Sequence, residues 1–221
     1  MMNSYFDLHV HTTKSSSDSS LTPEALVNEA IRIGLNGVCL TEHGGWENKE
    51  EFSRFAKRQN FLLIHGLEIT TEFGHIITIG LDGYVKGYYR IRELRQAINQ
   101  CGGYMIAAHP FRNVFNKPPY NNNPIVQQPQ PSSKDIMNIL SHPIFQALDD
   151  IEVINGANSE KENIFAREVA TVLGTPGSGG SDAHSTHGLG KAVTVFKQEI
   201  HCQSELLEAL HSKAYSPYKL H

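Results

Sequence analysis

Twelve of the 221 residues are histidine, and where they fall matters more than how many there are. His9 and His11 flank Val10 in Leu8-His9-Val10-His11. Glu42 and His43 are adjacent after an apolar run, Glu68 closes another, and His75 opens the next. His109 sits in Ala108-His109-Pro110, and Asp182 and His184 share Ser181-Asp182-Ala183-His184. Neutral imidazoles mixed with carboxylates are the donor set that divalent transition metals take. In an extended strand, residues two apart point the same way, so His9 and His11 can grip one ion together. A carboxylate such as Glu68 can bridge two ions, which an imidazole cannot. Each piece alone has a plainer explanation: a strand-end histidine before proline, or an Asx turn at Asp182. Six histidines and several acids at the ends of successive apolar runs read together as a metal centre.

The elements that must position them alternate along the chain. Strands are expected at Tyr5–His9, Gly37–Thr41, Phe61–Ile69, His75–Leu81, Tyr104–Ala108, Ile151–Ile154 and Ala192–Phe196, with a Gly-rich strand end at Pro176–Gly180. Helices are expected at Pro23–Ile33, Asn48–Arg58, Arg90–Cys101, Ser159–Leu173 and Ser204–His211. Thr22 suits the N-cap of the first, Pro23 its first turn, and Gly34 its end. The run at His75 is expected to pair with its predecessor through a turn at Thr71–Gly74. Such alternation argues for βα units around one sheet, an α/β barrel-like domain. In a closed parallel barrel every strand's C-terminal end faces one rim, which would gather residues as distant as His9 and His184. Arg112–Ser133, rich in Pro, Asn and Gln, breaks the pattern and reads as a mobile loop beside a suspected ligand.

Bulk properties narrow the class. The chain is long enough for one self-sufficient domain, and its net charge of -4 gives no basic footprint for a nucleic-acid backbone. No apolar run approaches the roughly 20 residues of a membrane span, and no signal peptide is visible at the N-terminus. Cys39, Cys101 and Cys202 form no Cys-x-x-Cys pair, so reduced thiols and a cytoplasmic location are expected. Of the other histidines, His65 is expected to be packed and His142, His201, His211 and His221 to lie on the surface. Arg112 is a candidate for a bidentate pair with phosphate, and Lys14 a weaker one.

Seven motifs in order carry a resemblance: Asp7-Leu8-His9-Val10-His11, Ser17-Asp18 leading into Thr22-Pro23-Glu24, Thr41-Glu42-His43, Gly66-Leu67-Glu68-Ile69, His75-Ile76-Ile77, Ala108-His109-Pro110 and Gly180-Ser181-Asp182-Ala183-His184. The chain resembles the PHP (polymerase and histidinol phosphatase) family of metal-dependent phosphoesterases over nearly its whole length. The resemblance implies a single domain over residues 1–221, a distorted (β/α)7 barrel with a site for up to three divalent ions, zinc, manganese or iron. It implies that His9, His11, Glu68 and Asp182 hold one ion, Glu68, His75 and His109 a second, and Asp18, His43 and His184 a third. It further implies hydrolysis of a small phosphate ester by ionised, ion-bound water; Asp182 and His184, with Arg112 from its own position and chemistry, are the catalytic candidates. A monoesterase of the histidinol-phosphatase type leads; a nucleotide or oligonucleotide phosphodiesterase, an amidohydrolase and a metal-binding module without turnover are the alternatives. Glu42 stands where the family usually has Asp, and the Thr12–Ser17 stretch is longer than usual, so the surroundings of His43 and Asp18 are where departures are expected.

Overall fold

The computed structural model describes residues 3–46, 48–84 and 86–220; His221 lies outside them. Nine strands form one sheet: β1 (Ser4–Val10), β2 (Gly37–Glu42), β3 (Leu62–Thr71), β4 (Gly74–Ile79), β5 (Tyr104–Ala107), β6 (Asp150–Asn155), β7 (Ser178–Gly180), β8 (Val193–Phe196) and β9 (Tyr215–Tyr218). Their order is β7-β6-β5-β4-β3-β2-β1-β8-β9. The far edge curls back on β1: Asp182 N donates to His9 O at 2.7 Å and His11 N to Ala183 O at 3.0 Å, and Val10 bridges Ala183. The result is a nearly closed, distorted α/β barrel, with the antiparallel β8–β9 pair added outside the closure.

The local chemistry explains the elements. Helix α1 (Pro23–Arg32) starts where Thr22 accepts a hydrogen bond from Ala25 N at 3.2 Å, which satisfies one of the orphan N–H groups of the first turn. Helix α2 (Lys49–Arg58) carries Glu50 and Glu51 in its first turn and Lys57 and Arg58 in its last, matching its dipole. Helix α3 (Ile91–Cys101) stops at Gly102 in the left-handed region. The short α4 (Ile136–Leu140) precedes β6. Helix α5 (Glu160–Leu173) opens on a reciprocal Ser159–Glu162 capping box, and α6 (Gln203–His211) precedes β9. Three apolar clusters fix these layers. Phe6, Leu8, Ile64, Ile77, Ile106 and Leu206 join the central strands to α6. Val10, Leu26, Val38 and Phe52 seat α1 and α2, while Leu94, Ile98, Val126 and Val169 seat α3 and α5.

Two details decide where the site residues end up. Strands β1, β2 and β3 run parallel, as do β5, β6 and β7, but β4 is antiparallel to both neighbours. Its first residues therefore reach the same rim as the C-terminal ends of the others. The β1–β2 register also shifts between Asp7 and Val10, and irregularities of this kind re-aim side chains beside functional sites.

The segment expected to be mobile has no helix or strand until Ser133, yet it is tied down at its middle. Asn123 donates to the Pro110 and Arg112 carbonyls and accepts from Ile125 N and Val126 N, all near 3.0 Å. Ile125 and Val126 are buried in the core. Among the described residues, no helix is long and apolar enough to cross a membrane.

Candidate metal centre

Glu68 lies at the middle of the rim and is almost fully buried. Its two oxygens divide the imidazoles between them. Oε2 faces His9 Nε2 at 3.4 Å, His11 Nε2 at 3.2 Å and His43 Nδ1 at 3.3 Å. Oε1 faces His75 Nδ1 at 2.9 Å and His109 Nε2 at 3.0 Å. Burial opposes ionisation of this carboxylate, but His9, His109, His11 and His75 outweigh it and hold its pKa well below the usual range.

The hydrogen bonds behind the rings set which nitrogen faces the site. His9 Nδ1 meets Glu152 Oε1 at 3.1 Å; a carboxylate only accepts, so the proton sits on Nδ1 and the Nε2 lone pair points inward. His11 Nδ1 meets Ser16 Oγ at 3.3 Å, and that hydroxyl donates to Glu42 Oε2 at 2.6 Å. With its proton committed to Glu42, Ser16 accepts from His11 Nδ1, and Nε2 again faces the site. Thr12 Oγ1 donates to the other oxygen of Glu42. Behind His184, Nδ1 meets the Asp182 carbonyl at 2.9 Å, which leaves Nε2 free to act as a ligand.

Asp182 occupies the opposite wall. Its Oδ1 lies 3.5 Å from His9 Nε2, 3.4 Å from His11 Nε2 and 3.7 Å from His184 Nδ1, and its Oδ2 accepts from Arg112 Nη2 at 2.6 Å. Burial would raise its pKa; His9, His11, Arg112 and His109 reverse that and keep it far below the ordinary carboxylate value. Such a group is a poor proton acceptor and a good ligand. Asp182 and His109 both adopt positive φ, +55° and +31°, a strain that clusters at functional sites.

All the expected ligands converge, but they group differently from the expectation. Three sets bring donor atoms within mutual reach: His9, His11 and Asp182; His9, Glu68 and His109; and His11, His43 and His184. His11, rather than Asp18, completes the set with His43 and His184. Asp18 reaches His184 Nε2 at 3.3 Å with its side chain 65% exposed. His75 touches Glu68 and stands at the edge of the second set. Arg112 also donates to Asn155 and Asn158, so much of its guanidinium is engaged. Lys14 and His187 are exposed. His65 is buried, as expected, and bonded to Ser53 at 2.8 Å. His142 is half-buried rather than superficial, with its ring edge-on to Phe73.

Several residues of the site were not singled out from the sequence. Glu152 accepts from His109 N at 2.8 Å besides orienting His9, and its signal was an acid between Ile151 and Val153 inside strand β6. Asp7 accepts from Ser181 N and Gly190 N, stitching β1 to the segment that carries Asp182; burial raises its pKa to about 6. Ser16, behind His11, belongs to the same class; Glu42, expected among the surroundings of His43, instead accepts from Ser16 and Thr12 behind His11.

The residues fit divalent cations. His9 Nε2 and His11 Nε2 are buried and have no hydrogen-bond partner among the described residues. Their lone pairs face carboxylate oxygens, an arrangement that is repulsive unless a proton or a cation lies between. Burial disfavours charge on both rings, but the neighbouring carboxylates overcome it and raise both pKa values; a bound cation would displace those protons.

Comparison with known proteins agrees with this arrangement. Residues 7–169 match the PHP domain, and residues 160–215 match the PHP-associated region. An error-prone DNA polymerase of Nocardia farcinica is 36% identical over 66 residues, 30% of this chain but only 6% of that protein. Among solved structures, a candidate metal-dependent phosphoesterase from Bifidobacterium adolescentis superposes with TM-score 0.59 at 16% identity, covering 93% of this chain and 95% of that one. The lesion-specific endonuclease EndoQ of Pyrococcus furiosus gives TM-score 0.59 at 17% identity over 98% of this chain and 58% of its own. The domain match spans most of the chain and all but two of the rim residues, Asp182 and His184, which follow it; this protein belongs to the PHP family.

Proposed function

We propose that the chain is a phosphomonoesterase, of the histidinol-phosphatase-like type, acting on a small substrate, with residues 1–221 as one catalytic unit. The observation that carries this reading is the division of Glu68 between two sets of imidazoles, each with lone pairs aimed inward. Divalent ions held there would ionise water near neutral pH and polarise the phosphoryl oxygens. Asp182 stays ionised and serves as a ligand, as does His184 through Nε2. Arg112, held at the rim by Asp182, Asn155 and Asn158, keeps Nη1 free of protein acceptors among the described residues and orients the phosphate. The net charge of -4 argues against tracking a polyanion. The names of the polymerase and endonuclease relatives favour a second reading, phosphodiester cleavage.

The test is elemental analysis combined with release of p-nitrophenol from mono- and bis-p-nitrophenyl phosphate. Wild type should hold metal and prefer the monoester. Asp182→Ala and His11→Ala should lose bound metal and at least about 100-fold in turnover, with their circular dichroism retained. Full turnover at normal metal loading in either variant would overturn the assignment; preference for the diester would select the second reading.

A further inference from the structure

Next to the metal centre, a cavity of about 180 Å³ lies between the β3–β4 turn and the loop after β5. His75, His109 and Arg112 form one end of it, shared with the rim; Phe73, Ile125 and Ile144 line it further out. We propose that this cavity seats the leaving group of the substrate and selects a single uncharged ring. The assignment rests on the phosphomonoesterase reading.

Position, size and chemistry each constrain the occupant. His75 and His109 both touch Glu68 Oε1, so a phosphate monoester held at the centre can point its single ester substituent into this space. A cavity of about 150 Å³ accepts one benzene ring, so the volume here suits a single ring and is too small for a purine nucleoside. The lining includes no carboxylate, and Arg112, its one guanidinium, is already committed to Asp182, Asn155 and Asn158. An ammonium placed there would be buried without a partner, which is costly. The apolar wall offers a ring the burial it favours, and the exposed Asn122 supplies a polar edge.

The wall is also built to keep its shape. Asn123 pins the loop through four hydrogen bonds. His142 packs edge-on against Phe73 with centroids 4.7 Å apart and accepts from Ile144 N at 3.3 Å, fixing two lining residues at once. At Gly74, φ is +109° and a Cβ would come within 3.1 Å of Pro124 Cγ, so the turn and the loop close on one another. A preformed pocket of this kind discriminates by shape, and a methylene in an apolar pocket is worth about 10–200-fold.

The experiment compares metal-loaded protein on benzyl, ethyl and 2-aminoethyl phosphates and on adenosine 5′-monophosphate, whose leaving alcohols are of similar acidity. Benzyl phosphate should exceed each of the others by about tenfold or more in kcat/KM. Phe73→Ala, which removes the ring wall, and Asn122→Trp, which obstructs the mouth from an exposed loop, should each lower the benzyl value about tenfold while leaving ethyl phosphate within about twofold. Calorimetric binding of benzylphosphonate, which cannot be hydrolysed, should weaken in parallel. Equal rates on all four esters, a preference for the aminoethyl or adenosine ester, or variants that affect benzyl and ethyl phosphates alike would overturn the cavity assignment and leave the phosphomonoesterase reading intact. Absence of turnover on every ester, with benzylphosphonate still bound and weakened by the variants, would overturn hydrolysis and retain the cavity.

Discussion

Ser16 shows how much of the centre depends on residues that never face it. Its hydroxyl accepts a hydrogen bond from His11 Nδ1 and donates its own to Glu42, so the ring is held in one tautomer and one orientation. Ser16→Ala removes that relay and leaves a buried Glu42 oxygen short of a donor. Partners of this kind contribute about 10–100-fold to metal affinity, so Ser16→Ala should weaken metal binding by that factor in a chelator competition, with the fold retained. An unchanged affinity would show that packing alone orients His11. Such residues were hard to read in advance. His9, His11, Glu68, His109 and Asp182 stand out because strand ends leave them side by side with apolar runs. Ser16 lies in a serine-rich turn, where serine is ordinary, and Glu152 sits mid-strand, where only the cost of burying an acid between two apolar residues marks it.

At the scale of elements, the amphipathic helices and long strands were legible within one or two residues, because burial of one face imposes its period. The exceptions are instructive. Helix α4 spans only five residues and β9 four, one of them Pro217, too short for periodicity to register. The direction of β4 is a property of pairing rather than composition, yet it is what delivers His75 to the rim. The loop after β5 looked mobile because its composition resists regular structure; a single asparagine overrides that tendency by acting as four hydrogen-bond partners. Asn123→Ala would leave buried carbonyls and N–H groups unsatisfied at about 1–3 kcal/mol each. The variant should therefore unfold at lower urea concentration than wild type, and limited proteolysis should cut first within residues 112–133. Wild-type stability and an unchanged cleavage pattern would mean that Ile125 and Val126 alone hold the loop.

For the molecule as a whole, stability and function draw on opposite ends of the same barrel. The rim gathers like-charged and lone-pair groups that a cation must reconcile, while strands, helices and buried networks away from it supply the cohesion. One such network joins Tyr104, Tyr215, Asp150 and Thr175 across β5, β9 and β6. Burial raises the pKa of Asp150, so its protonation favours the folded state as pH falls. His65 acts the other way. It is 6% exposed, Nδ1 has no hydrogen-bond partner among the described residues, and burial, helped by Lys49, lowers its pKa from 6.5 to about 4. Between those values the unfolded chain binds a proton that the folded protein refuses, so the stability from neutral His65 is complete above pH 6.5 and drains away as pH falls toward 4. The loss amounts to at most about 3 kcal/mol. His65→Gln keeps a polar partner for Ser53 and cannot titrate. Urea unfolding at pH 7, 5.5 and 4 should show wild type losing up to that amount more than the variant, which separates His65 from Asp150 and from every rim group that titrates in both proteins. Parallel pH profiles would mean that His65 takes up its proton in the folded barrel without penalty.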